Sequence, residues 1–225
     1  MAPQATFRAV LFDMDGTLVD NMAFHTRALI EVTKRRLGID LAAEFVDQEF
    51  AGRKSLEIFE IITGRPRQDM EAAGWAAEKE VLYRELYGPH LSLIQGTHEL
   101  LTRLRDAGKR VALASAAPVE NRAFVLDGLK LRSMFDQIVG QEDAPRGKPA
   151  PDLFLAAASR LGLEPSLCLV FEDAVNGIFG ARAAGMQAVG ITTVCSPETL
   201  RNAGARWTMP DLAELPEDLE RMLFG

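Results

Sequence analysis

A short apolar run that ends in two closely spaced carboxylates constrains this chain more than any other feature. Residues 7–12, Phe-Arg-Ala-Val-Leu-Phe, are rich in β-formers, and such a run suits a strand buried on both faces of a parallel sheet. Asp13-Met14-Asp15-Gly16-Thr17-Leu18-Val19-Asp20 follows at once, so two acids sit just past a strand end. In open α/β sheets that edge is where ligands bind. Strand alternation, if it continues, sends Asp13 and Asp15 the same way and Met14 elsewhere. Two acids on one side of one loop point to a hard-cation site or an acid/base pair. Gly16 permits a sharp turn after them, and the Thr17 hydroxyl can donate to an anion beside it. A helix cap is the plainer use of an Asp at a strand–helix junction, and it explains one Asp, not the whole motif.

After this loop the sequence turns helical without any strand pattern. A helix is predicted over 21–37, with His25, Ala28, Leu29 and Val32 on one stripe and Gly38 ending it. Further helices are predicted over 44–51, 56–62 and 72–87, the last presenting Trp75, Lys79, Leu82 and Leu86 on one side. Residues 18–93 therefore read as a helical domain inserted into a core made of 1–17 and 94–225. From residue 94 onward, helices alternate with buried strands. Thr97 is expected to cap a helix ended by Gly108, and strands are predicted over 110–114, 137–140, 167–171 and 187–191. Intervening helices are predicted over 119–129 and 152–161 and before Gly185, with a terminal helix over 211–223. Repeated β-α units imply an α/β fold with a doubly wound, Rossmann-like parallel sheet.

Polar residues cluster where these strands end: Asp13 and Asp15, then Ser115, then Lys148 beyond a strand, then Glu172 and Asp173. Parallel strands share one C-terminal edge, so all can converge on a single crevice. Singly, Ser115 has a plainer use as a turn residue, Lys148 as a solvated loop lysine, and Glu172-Asp173 as an acidic helix start. Together, several carboxylates repel one another unless a divalent cation sits among them, and all-oxygen ligation favours Mg²⁺ over zinc. A Lys, a Ser and a Thr beside that ion make an anion cradle suited to a phosphoryl group.

These segments, with Ala114-Ser115-Ala116, Gly147-Lys148-Pro149-Ala150-Pro151-Asp152 and Phe171-Glu172-Asp173-Ala174 in that order, resemble the four motifs of the haloacid dehalogenase superfamily. The inserted helices resemble the cap of its β-phosphoglucomutase-like subfamily. The resemblance implies that Asp13 is a nucleophile forming an aspartyl-phosphate, and that Asp15 protonates the leaving alcohol and then activates water. It implies Mg²⁺ held by Asp13, the main chain of Asp15, Asp173 and Glu172, and phosphoryl oxygens held by Thr17, Ser115 and Lys148. Asp15 also argues against the dehalogenase branch, whose halide leaves without a proton. The mutase uses a Lys-Asn pair shortly after the second-motif Ser to hold a remote phosphate; Pro118 and Val119 stand there. In the cap, Arg53 and Lys54 are expected to face the site and to meet a remote anionic group. Lys79 and His25 match a Lys and a His of that mutase tied to cap closure, although core packing and snorkelling also account for such residues.

The expectation is a Mg²⁺-dependent phosphatase of a small phosphorylated metabolite, such as a sugar phosphate. A β-phosphoglucomutase-type reaction is the enzymic alternative, and a phospho-accepting receiver switch a distant one. A net charge of −7 argues against nucleic acid. No stretch nears the ~20 apolar residues a membrane helix needs. Residues 1–6 lack a signal peptide's features, so a cytoplasmic location is expected; a monomer is expected as well. Cys168 reads as a buried small hydrophobe, and it and Cys195 lack metal-site spacing.

Overall fold

Every side chain of β1 (Ala9–Phe12) is buried, and the computed structural model, which describes residues 7–66 and 68–225, shows why. β1 lies inside a six-stranded sheet with β2 (Arg110–Ala114), β3 (Gln137–Val139), β4 (Cys168–Glu172), β5 (Gln187–Ile191) and β6 (Trp207–Met209). The order is β3-β2-β1-β4-β5-β6, and each pairing is parallel. Alternation sorts the strand side chains between two apolar clusters. Val10, Phe12, Leu113 and Phe171 face one, where the Phe12 and Phe171 rings stack at 4.9 Å; Leu11, Ala112 and Val170 face the other.

After β1 the chain moves to β2 and β3 on one side, then crosses to β4, β5 and β6 on the other. The strand order thus reverses between β1 and β4, and a crevice opens where loops leave in opposite directions. The residues that follow Phe12 and Phe171 face that crevice from neighbouring strands in register.

Among the described residues, five α-helices separate β1 from β2, and the first four make the insert: α1 (Met22–Leu37), α2 (Ala43–Phe50), α3 (Ser55–Thr63) and α4 (Met70–Tyr87). Leu29, Val32, Phe50, Ile58, Phe59 and Ala76 form an apolar cluster of their own. Ala28, Tyr83 and Tyr87 instead pack into the cluster on the sheet, so α1 and α4 reach both layers. The remaining helices are α5 (Thr97–Asp106), α6 (Val119–Gly128), α7 (Asp152–Leu161), α8 (Val175–Ala183), α9 (Pro197–Ala203) and α10 (Glu217–Phe224).

Three expectations need correction, and one unit was not read from the sequence. The buried line of α4 is Ala72, Ala76, Lys79, Tyr83 and Tyr87, rotated from the stripe through Trp75, Leu82 and Leu86, which are only partly buried. Two small alanines let α4 approach its neighbours closely, and the tyrosines carry the packing below them. Thr97 does not cap α5; its hydroxyl donates to the Ile94 carbonyl at 2.7 Å, and Gly96 stands at the cap. The α9–β6 unit was not anticipated, because a three-residue strand after Gly204 offers no measurable period. Finally, α10 begins at Glu217, not at 211, and the Trp207 indole N–H to Asp218, at 2.8 Å, ties it to the sheet edge.

Among the described residues, no helix is long and apolar enough to cross a membrane. Residues 1–6, from which the lack of a signal peptide is expected, lie outside the described residues.

Candidate active site

The loop after β1 is a tight turn. Gly16 N–H donates to the Val19 carbonyl at 2.8 Å and Leu18 N–H to Met14 at 2.9 Å. Met14 points into the apolar core while Asp13 and Asp15 line the crevice, as alternation implies. Gly16 is required twice: its φ is +76°, and a Cβ there would lie 2.1 Å from Asp173 Oδ2. The turn therefore sits directly against the acidic end of β4.

Asp13, Glu172 and Asp173 are all buried, and each offers an oxygen within 4.8 Å of the others. The Lys148 ammonium, itself buried, donates to Asp13 Oδ1 at 2.5 Å and also to Glu172 Oε1. Burial pushes the Asp13 carboxyl up to about 7, against the pull of Lys148 and with the push of Glu172 and Asp15. Burial, then Glu172 and Asp13, hold Asp173 well above its ordinary value. Lys148 goes the other way: burial disfavours its charge, but Asp13 and Glu172 outweigh that and hold it above the usual lysine range. One ammonium thus serves three carboxylates, and the deficit is one of positive charge.

That deficit is where a cation fits. Asp173 Oδ2 is buried with no hydrogen-bond partner among the described residues, and an all-carboxylate donor set suits a hard divalent ion. Thr17 donates to Asp173 Oδ1 at 3.4 Å, and Ser115 Oγ, on the loop leaving β2, accepts from Ala117 N–H at 3.1 Å with its own proton left to give. Ser115, Asp13, Asp15 and Asp173 line the same cleft, which encloses about 700 Å³ of empty space, part of it open to solvent.

Asp15 occupies a separate environment. Burial raises its carboxyl, but His25 and the Asn21 amide outweigh burial and leave it below its ordinary value. Asn21 Nδ2 reaches Asp15 Oδ1 and the Tyr83 hydroxyl, both at 2.6 Å, and its Oδ1 accepts from Gly16 N–H at 3.2 Å. Asn21 stands at the cap of α1 yet makes no capping bond; the side chain turns back to hold the acidic loop. His25 Nδ1 lies 2.7 Å from Lys79 Nζ, and His25 Nε2 lies 3.5 Å from Asp15 Oδ1. An ammonium only donates, so the hydrogen-bond pattern assigns the ring proton to Nε2, facing Asp15.

Lys79 also meets Glu80 Oε1 at 3.1 Å. Glu80 is buried, accepts from Ser55, and takes Asn121 Nδ2 at 2.6 Å; Arg84 closes the group by donating to Asn121 Oδ1 at 2.5 Å. Burial raises the Glu80 carboxyl, but Lys79, then His25 and Ser55, bring it down to about 2. An acid depressed in the folded state contributes stability that is present above its unfolded value and lost as pH falls through the folded one. Glu80→Gln is therefore expected to lower the urea midpoint at pH 6 by an amount that shrinks as pH drops from about 4.5 towards 2. Urea titrations of both proteins between pH 6 and 3.5 check this; a constant difference across that range counts against it.

Of the cap residues anticipated, His25 and Lys79 line the cleft beside Asp15, and Arg53 lines it while donating Nε to the Glu49 carbonyl at 2.9 Å. Lys54 does not line it. Its ammonium donates to the Gln141 and Ala144 carbonyls at 2.8 and 2.6 Å, where a long flexible stem finds two acceptors. Sequence reasoning missed Asn21, Glu80 and Asn121. The adjacent Lys79-Glu80 pair on a helix face was the available signal for Glu80; an asparagine in a helix's first turn carries none.

Comparison with known proteins follows this geometry. The family described as haloacid dehalogenase-like hydrolase matches residues 7–185. Hexitol phosphatase B of Escherichia coli (strain K12) is 30% identical over 96% of this chain and 96% of its own. Fructose-1-phosphate phosphatase YqaB of the same organism is 32% identical over 82% of this chain and 96% of its own. The crystal structure of β-phosphoglucomutase from Clostridium difficile matches with a TM-score of 0.83 at 25% identity, covering 97% of each chain.

Proposed function

The chain belongs to the haloacid dehalogenase-like hydrolases, and from that premise we propose that it is a Mg²⁺-dependent phosphatase of a sugar or polyol monophosphate, with residues 18–93 as its cap. The single observation that carries the reading is the buried cluster of Asp13, Glu172 and Asp173 with Lys148 among them, at the edge where β1 and β4 end. Asp13, Glu172 and Asp173 would hold the ion, together with the Asp15 carbonyl. When bound, Mg²⁺ supplies positive charge to the phosphoryl oxygens and to the carboxylates around them.

Asp13 attacks phosphorus, forming the acyl-phosphate bond as the ester P–O bond breaks. Thr17, Ser115 and Lys148 hold the equatorial oxygens, the first two from short loops at the sheet edge, so part of the charge is met by groups already in place. Asp15 starts as an acceptor, and protonating the leaving oxygen requires that it first gain a proton. That proton comes from water in the open cleft before the substrate fills it; His25, whose Nε2–H faces the carboxylate from 3.5 Å, keeps its own. Once the alcohol has left, Asp15 takes a proton from water, which hydrolyses the aspartyl-phosphate.

The mutase alternative draws on the β-phosphoglucomutase likeness. A remote second phosphate needs free cations deep in the cleft. Lys79 is already committed to Glu80 and His25, and Pro118 lines the wall where the mutase places a lysine. Those features favour hydrolysis. The test is phosphate release from sugar, polyol and nucleotide monophosphates with Mg²⁺, beside a coupled assay with β-glucose 1-phosphate and a bisphosphate primer. Release from hexose or hexitol monophosphates is expected; isomerisation without release sinks the phosphatase reading, as does no release from any of them.

A further inference from the structure

Lys148 is fully buried, yet it sits on the connection between β3 and α7, the longest of those that carry a site residue. Asp13 and Glu172 hold its ammonium at the sheet edge, while its backbone is met from outside the sheet. The cap segment 51–57 touches this loop at four points. Glu57 Oε1 accepts from Gly147 N–H at 3.0 Å, and this bond is buried. Lys54 Nζ donates to the Gln141 and Ala144 carbonyls at 2.8 and 2.6 Å, upstream on the same loop. Gly52 lies against the Lys148 stem: a Cβ there would sit 3.5 Å from Lys148 Cδ. The Ala51 carbonyl accepts from Asn176 Nδ2 at 3.0 Å, which fixes the segment to α8 beside the acidic cluster. A Cβ on Gly147 would meet Glu57 Oε2 at 2.5 Å, so a side chain there would have to displace that carboxylate.

We propose that the cap segment 51–57 is a clamp that seats Lys148, so that the phosphoryl-binding ammonium is correctly placed only while the cap is docked. Glu57 and Lys54 are positioning residues in this scheme: neither touches the reacting atoms, and both act through the backbone of 141–148. The polarity of the contacts is complementary, the cap supplying an acceptor to an N–H and a donor to two carbonyls. An apolar contact would slide; these bonds fix register as well as distance. Cap docking over a substrate and completion of the charge around phosphorus thereby become one event.

The proposal rests on the phosphatase reading for its kinetic consequence and on the contacts alone for its structural one, so two readouts separate them. Glu57→Ala and Lys54→Met are expected to lower kcat about tenfold each, the worth of one well-placed hydrogen bond, with KM within about twofold. Glu57→Gln, whose amide oxygen still accepts from Gly147, is expected to restore most of the rate. Hydrogen–deuterium exchange should accelerate over 141–148 in Glu57→Ala and stay unchanged in β2. Unchanged exchange over 141–148 overturns the clamp, as does a Glu57→Ala kcat within twofold of the parent or a Glu57→Gln as slow as Glu57→Ala. If the parent releases no phosphate from any substrate, the phosphatase reading falls, and the exchange data still decide whether the clamp exists.

Discussion

Asp13→Asn is expected to abolish phosphate release, by about 10⁴-fold or more in kcat, while leaving a folded protein. An amide oxygen is a poor nucleophile, and a reaction divided into two steps by a covalent intermediate loses both when the first cannot start. The fold has no need of this carboxylate's charge. Burial already pushes Asp13 up to about 7, so its ionised form is a cost borne by the folded chain and offset in part by Lys148. Asn keeps the shape and one oxygen acceptor for Lys148, which retains Glu172 as its ionic partner. A melting temperature close to or above that of the parent in chelator is therefore expected. Incubation with substrate should yield no acid-stable mass gain of one phosphoryl group on the variant. Residual turnover within about 100-fold of the parent would mean that another residue attacks phosphorus.

The sheet edge was readable from sequence because its logic is geometric. Parallel strands share one C-terminal end, so Asp13, Ser115, Glu172 and Asp173 were bound to face one crevice once their strands were recognised. Strands over 110–114 and 187–191, and the helix over 152–161, were delimited to the residue, each preceded within two residues by a glycine or proline that leaves little freedom. The cap was less legible. Its residues meet the site across distances that no local period encodes, and a one-residue rotation of α4 exchanges Trp75 and Leu82 for Ala76 and Tyr83. Lys54 shows the same limit from another side. A basic residue next to Arg53 in a loop reads as an anion ligand, whereas the structure spends it on two backbone carbonyls contributed about 90 residues away. Glu80 and Asn121 lie on different helices, and only their meeting gives either a purpose.

Replacing Lys148 with methionine should do the largest combined damage. The ammonium bonds Asp13 and Glu172 in a fully buried place, and removing one partner of a buried ionic group leaves the remaining charge uncompensated, at a cost of roughly 3–5 kcal/mol. Methionine matches the stem in volume, so packing against Gly52 is retained and the loss reports charge, including the ammonium's place 5.3 Å over the Phe154 ring. In chelator the variant should melt well below the parent. Divalent cation can take over part of the neutralisation, because Asp13, Glu172 and Asp173 remain and now attract it more strongly; binding to the folded state alone stabilises by mass action. The Mg²⁺-induced rise in melting temperature should accordingly be larger in Lys148→Met than in the parent, while kcat stays about 10³-fold down for want of a phosphoryl donor. Thermal melts with and without Mg²⁺ on both proteins measure that difference. An equal or smaller rise in the variant would mean that the ion and the lysine do not answer the same excess of negative charge, and the assignment of the three carboxylates as its ligands would have to be given up.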